Sequence, residues 1–219
     1  MANGKLDYKK EYKDLYMPKA KPCIIDVPAM CFIMVDGKGN PNVEEGEYQQ
    51  AVELLYALSY TIKMSKMGGN LPAGYFEYVV PPLEGLWWLN DNSHFDFSTK
   101  EKFCWTSMIR QPEFVTQEVF DWACKELAKK KPQLDTSKAR LQTFDEGLCV
   151  QMMHIGSFDD EPKTIAQIDA FIKEKNYQDA ISEVQPDGTI KRHHEIYLGD
   201  PRKIESSKMK TVLRHPVKG

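Results

Sequence analysis

One order of elements, an apolar strand, a glycine and acidic loop and then a helix, occurs twice in this chain, and that duplication restricts the available folds more than any other feature. In the first copy CFIMV runs into Asp36, Gly37, Gly39, Asn40 and Pro41. A helical pattern over 44–66 follows, with Tyr48, Val52, Leu55, Leu58 and Ile62 at three- and four-residue steps. In the second copy an apolar run over 148–155 enters the loop 156–162, which holds Asp159, Asp160 and Glu161. The spacing of Ile165, Ile168, Phe171 and Ile172 then predicts a helix over 164–175.

Strand patterns follow each helix. After the first come 75–80 and 84–89, joined by Pro81-Pro82, and then 103–109, with the polar segment 90–102 closing a long hairpin loop. After the second come 189–198 and 210–217. Further strand patterns precede the copies at CIIDV and over 141–144. A helix over 116–129 has Thr116 as its N-cap and Pro132 beyond its basic end. The expected fold class is α+β: a duplicated strand-helix-strand-strand unit forming antiparallel sheet, with helices on one side and a central ligand cleft on the free face. Residues 1–22 read as a charged arm, either solvated or a docking segment. Residues 23–219 read as the domain, with halves 23–132 and 133–219.

A formal charge of −3, from 29 basic and 32 acidic residues, gives no general pull toward nucleic acid, and no basic block is interleaved with aromatics. The five cysteines, Cys23, Cys31, Cys104, Cys124 and Cys149, have spacings that fit reduced thiols rather than a disulfide framework, so a cytoplasmic location is expected. No C-x-x-C or H-E-x-x-H spacing occurs, and neither a metal nor another cofactor is expected. The first residues contain no apolar leader, and no run has membrane-spanning length.

The stretch HHEIYLGDP concentrates the chemistry. On a strand, His193, Glu195 and Tyr197 share one face while His194, Ile196 and Leu198 share the other, and Gly199-Asp200-Pro201 ends the run. Glu195 is the lone carboxylate among apolar and aromatic neighbours. It is either a surface or salt-bridged acid, or a carboxylate on the floor of an aromatic pocket with its pKa raised by desolvation. Trp87 and Trp88 are adjacent, so a regular strand sends them to opposite faces. Both belong in the core if a bulge intervenes, whereas one on an open face needs a planar ligand to cover it. Trp105 lies in the next strand. Tyr75, Tyr78 and Tyr197 offer phenolic groups, and Glu84 is either a second pocket acid or an exposed strand start. Met152 and His154 share a face. The first is otherwise a core filler and the second a hydrogen-bonded structural histidine.

Together YVVPPLEGLWW, CWTSMIRQP and HHEIYLGDPRK with KTVLRHPV resemble the GyrI-like small-molecule-binding family, in particular its stand-alone members that hydrolyse cyclopropanoid DNA-alkylating compounds of the yatakemycin and CC-1065 type. The resemblance implies a ligand in the central cleft, Glu195 as the pocket carboxylate, and planar aromatic or cationic small molecules as partners. By position, Trp88, Trp105 and Tyr197 are candidates for an aromatic cage, with Trp87, Tyr78, Met152 and His154 as further ligand contacts. Glu195 would orient or deprotonate water and Tyr197 would donate to the substrate carbonyl, or the two roles would be exchanged. Two other functions fit the same resemblance: a non-catalytic binder of aromatic or cationic drugs, and a GyrI-type protein inhibitor.

Overall fold

A computed structural model of the chain describes residues 4–89, 99–186 and 188–219. Two short helical turns, α1 (Tyr8–Glu11) and α2 (Lys13–Tyr16), precede strands β1 (Cys23–Val27) and β2 (Met30–Lys38). Helix α3 (Glu47–Lys63) leads to β3 (Leu83–Leu89) and β4 (Phe103–Arg110), followed by α4 (Gln117–Lys130). Then come β5 (Ala139–Phe144), β6 (Gly147–Ile155), α5 (Glu161–Glu174), the two-residue β7 (Gln178–Asp179), β8 (His193–Tyr197) and β9 (Lys210–Lys218).

Eight strands form one antiparallel sheet in the order β1-β6-β9-β8-β3-β4-β2-β5, with β7 paired separately to β9. The duplication is visible in this order. The triplet β2-β4-β3 of one half mirrors β6-β9-β8 of the other, and the halves join where β3 pairs β8, with Gly85 opposite Glu195 and Trp87 opposite His193. The leading strands are exchanged: β1 pairs β6 of the second half, while β5 pairs β2 of the first. Each half therefore lends the other an edge strand.

Helices α3 and α5 lie on one face of the sheet. The α3 stripe of Ala51, Leu54, Leu55, Leu58 and Ile62 is buried. In α5, Ile168 and Ile172 pack with Val150, Met152 and Leu213. Full burial of each such Leu or Ile contributes roughly 1.5–3 kcal/mol, which fixes the helices to the sheet more strongly than their intrinsic propensity does. Thr116 caps α4 by accepting from the Val119 N–H.

Several expectations are corrected. The opposite face of the sheet is not free, and residues 4–19 are not a solvated arm. Tyr8 and Tyr16 are each 1% exposed, and the arm is tied down by Met153 N–H donating to Lys19 O and by Gln151 Nε2 donating to Asp14 O. Paired tyrosines and Leu15 give this segment enough apolar area to outweigh its lysines, which remain at the surface. Residues 75–80 do not form a strand and make a single bridge, Tyr78 to Leu6. Their aromatic rings instead cluster with Phe114 under the arm. Helix α5 begins at Glu161 rather than Thr164, because Pro162 lacks only an N–H that the first helical turn leaves unbonded anyway. The strand expected over 189–198 is confined to His193–Tyr197. Of the hairpin loop expected over 90–102, residues 90–98 lie outside the described residues.

Candidate active site

Strand alternation sends Gly85 and Trp87 of β3, Trp105 and Ser107 of β4, and His193, Glu195 and Tyr197 of β8 to the helix-covered face, at the junction of the two halves. Glu195 and Tyr197, two apart on one strand, meet directly. Tyr197 OH donates to Glu195 Oε2 at 2.7 Å and accepts from Trp87 Nε1 at 2.8 Å. The other carboxylate oxygen, Oε1, lies 3.1 Å from His193 Nε2. Gly85 makes room for this arrangement: a Cβ there would stand 2.7 Å from Trp87 Nε1 and 3.1 Å from Tyr197 OH.

A second carboxyl arrives from above. Glu161, the first residue of α5, is 1% exposed and lies beside Glu195. Its Oε1 has no hydrogen-bond partner among the described residues. Burial, then the adjacent Glu195 charge, pushes the Glu161 carboxyl well above the usual carboxylate range. A carboxyl raised in this way favours its neutral, protonated form. Burial and the same carboxylate push the Tyr197 phenol upward as well, so it remains an O–H donor at neutral pH.

Aromatic rings wall the pair. Tyr48 of α3 packs on Trp87 (5.5 Å between centroids, 34° between planes) and edge-on to Trp105 (5.1 Å, 90°). Its hydroxyl sits against Tyr197 and Ser107. Phe158 meets Tyr197 edge-on at 5.8 Å. Tyr48, Phe158 and Tyr197 are half-buried, whereas Trp105 is fully buried. Two surface clefts flank the N-terminal arm, one beside Leu6 and Phe76 and the other beside Met17 and Leu198, and neither is lined by Glu161 or Glu195.

The other residues singled out from sequence fall elsewhere. Trp88 projects to the opposite face, where the Arg192 guanidinium lies 4.6 Å from its ring centre. Tyr78 is buried in the aromatic cluster under the arm, because residues 75–80 leave the sheet. Met152 packs in the small core beneath α5. His154 is bonded at both ring nitrogens, to Thr164 Oγ1 at 2.8 Å and Ser157 O at 2.9 Å. Glu84 is 1% exposed and belongs to a separate buried network on the arm-covered face. There His194 places its two ring nitrogens 3.0 Å from Glu84 Oε2 and 2.9 Å from Glu146 Oε1, and Arg214 donates to Glu146 at 2.9 Å. Tyr16 donates to Glu84, and Arg214 donates to Leu15 O, so this network anchors the arm.

Sequence reasoning missed Glu161 and Tyr48 as site residues. Pro162 was the signal for the first, since a proline in the opening helical turn places its predecessor at the helix start. Tyr48 was legible only as a helix-stripe residue.

No protein of curated function matches the chain. The sequence pattern of the GyrI-like small molecule binding domain matches residues 20–218. Among solved structures, the chain is similar to an uncharacterized conserved protein from Listeria innocua, at 51% identity and a TM-score of 0.89, covering 98% of this chain and 100% of that one. It is also similar to a hydrolase from Listeria innocua at 50% identity, TM-score 0.85 and the same coverage. The EcmrR C-terminal domain, 9% identical with a TM-score of 0.52 over 90% of this chain and 97% of that one, shares the fold alone. A helix-flanked sheet with an acid-bearing aromatic site at the junction of its halves, and a family pattern spanning nearly the whole chain, place this protein in the GyrI-like small-molecule-binding family.

Proposed function

We propose that the chain is a hydrolase that opens the cyclopropane ring of planar, cyclopropanoid DNA-alkylating compounds with water. The observation that carries this reading is the buried Glu161 carboxyl set against Glu195, which the Tyr197 hydroxyl holds at 2.7 Å. Such a pair supplies a base and an acid in one place. The likeness to the Listeria innocua hydrolase supports hydrolysis, and the family resemblance of the YVVPPLEGLWW, CWTSMIRQP and HHEIYLGDPRK runs supports the substrate class.

In this reading a ligand enters past the half-buried rim of Tyr48, Phe158 and Tyr197 and stacks against Trp87. Ionised Glu195 takes a proton from water as the water oxygen bonds to the ring carbon. The ring C–C bond breaks, and its electron pair flows into the conjugated carbonyl, whose oxygen receives the Glu161 proton. Tyr197, whose one O–H donates to Oε2, holds Glu195 in place. The aromatic walls hold the flat substrate at reacting distance.

Incubation of a cyclopropanoid compound with substoichiometric protein, followed by mass analysis, tests the proposal. More than one water-adduct molecule per protein molecule is expected. Binding without any such product would make the chain a binder of aromatic compounds and remove the hydrolase reading.

A further inference from the structure

The N-terminal arm leaves a cleft open along its edge, on the face of the sheet opposite Glu195. Asp7, Lys9, Lys10, Lys13 and Met17 of the arm form one wall, and Leu198 and Lys210 form the other, around a volume of about 460 Å³. Both walls are fixed. Leu198 N–H donates to Lys210 O at 3.0 Å, continuing the β8–β9 pairing, and Met17 N–H donates to Lys13 O at 2.7 Å within an arm pinned to the sheet through Asp14 and Lys19. The cleft is therefore preformed.

Its surface has two chemistries. Met17 is 44% exposed and Leu198 is half-buried, so the walls offer apolar surface to solvent, extended by the methylene stems of the lysines. Against this, four lysines stand with one carboxylate. That carboxylate is already committed, because Asp7 accepts from the Lys9 backbone N–H at 3.2 Å and lies 3.7 Å from Lys10 Nζ. Lys9, Lys13 and Lys210 form no side-chain ion pair among the described residues. The loop between Leu198 and Lys210 does not neutralise them, since Asp200 is engaged by Arg202 and Lys203, and Glu205 by Lys208. In a chain with a formal charge of −3 the cleft is a local reversal of sign.

We propose that this cleft binds a single amphipathic anion, a long-chain carboxylate whose head is held by Lys9, Lys13 and Lys210 and whose alkyl chain covers Met17 and Leu198. An inorganic anion would leave both apolar side chains in water, and a neutral hydrocarbon would gain nothing from the amines. A ligand with both parts uses the whole surface. A concave opening between two fixed walls suits one chain rather than the flat surface of a bilayer. The site is independent of the hydrolase reading, because Leu198 and Glu195 project to opposite faces of the sheet.

The test uses the full chain and dodecanoate below its micelle-forming concentration. In ¹³C-methyl NMR of the methionines, dodecanoate should shift the Met17 resonance saturably. Acetate, which has the head alone, and dodecyltrimethylammonium, which has the chain with the opposite charge, should not shift it at the same concentrations. The double variant Lys13→Met with Lys210→Met keeps the apolar stems and removes two charges at exposed positions, so its melting temperature should match that of the parent. Its affinity for dodecanoate should be about fivefold weaker or more, a loss set by the upper range of an exposed ion pair. An unmoved Met17 resonance, an equal affinity in the double variant, or an equal shift with dodecyltrimethylammonium overturns the proposal. Sedimentation of the chain with anionic phospholipid vesicles, without any effect of monomeric dodecanoate, also overturns it and would make the arm a membrane contact.

Discussion

His193 and His194 are adjacent, yet they serve opposite faces of the sheet. His193 Nε2 faces Glu195 at 3.1 Å under the helices, and His194 is held between Glu84 and Glu146 at 3.0 and 2.9 Å under the N-terminal arm. Strand alternation alone puts them there. Their surroundings then give them different charges. Burial disfavours the charged form of both, but Glu146 and Glu84 outweigh it at His194 and raise it to about 9. His193 remains below the usual histidine range.

His194 should therefore carry stability with a defined pH window. Its folded pKa of about 9 lies above its unfolded value, so its contribution is complete below about pH 6.5 and is lost as pH rises through 9. Glu146 behaves oppositely. Burial raises it, but His194 and Arg214 outweigh burial and hold it down at about 2, so its contribution is complete above about pH 4.5 and is lost as pH falls toward 2. Melting temperature should be highest between these limits and decline on both sides. Replacing His194 by Ala takes one partner from each of two buried carboxylates, leaving Glu146 with Arg214 and Glu84 with Tyr16, and should cost about 3–5 kcal/mol in denaturant unfolding. A loss under about 1 kcal/mol, the range of an exposed pair, would contradict the ion-pair assignment.

Trp87 and Trp88 should separate cleanly. Trp87→Ala removes the donor to Tyr197 and a ring beside Tyr48, and should weaken planar-ligand binding by about 1–3 kcal/mol. Trp88→Ala, on the face away from Glu195, should leave affinity unchanged. Calorimetric titration of both variants with one aromatic ligand decides the matter, and equal losses would contradict the opposite facing of the two rings.

Much of this was legible in sequence where period and chemistry agreed. The α3 stripe, the Thr116 cap and the facing of Glu195 with Tyr197 follow from three-to-four-residue and two-residue periods. The ligand face was misjudged because the lysines of the arm obscure Tyr8, Leu15 and Tyr16, whose burial covers the sheet surface expected to be free. Glu161 was hidden in an acidic loop reading, since its meeting with Glu195 depends on where α5 lands on the sheet. The same holds for Tyr48 and for the His193–His215 contact, which are set by tertiary packing and strand pairing rather than by local pattern.

Gly85→Ala should probe the space beside the acid pair. The added methyl meets Trp87 Nε1 at 2.7 Å and Tyr197 OH at 3.1 Å, so the Tyr197–Glu195 bond must shift. Turnover should fall by about tenfold or more, because small displacements of positioned groups cost rate steeply. Circular dichroism should show the sheet retained. Full activity would show that the Tyr197 position is not needed.

Glu161 should set the alkaline limb of the pH–rate profile. Its carboxyl, raised by burial and by Glu195, keeps its proton well above the usual range, and the rate should decline as pH rises through its titration. In Glu161→Gln the residual rate should lack that limb. An alkaline limb that persists unchanged would assign it to another group.

The most direct test of the account is turnover by Glu195→Gln, a change that keeps shape and hydrogen bonding but removes charge and basicity. With affinity for a flat neutral cyclopropanoid compound measured in parallel, the variant should bind nearly as well as the parent and form the water adduct at least about a hundredfold more slowly. Unchanged turnover with unchanged binding would contradict the central role of the Glu161–Glu195 pair.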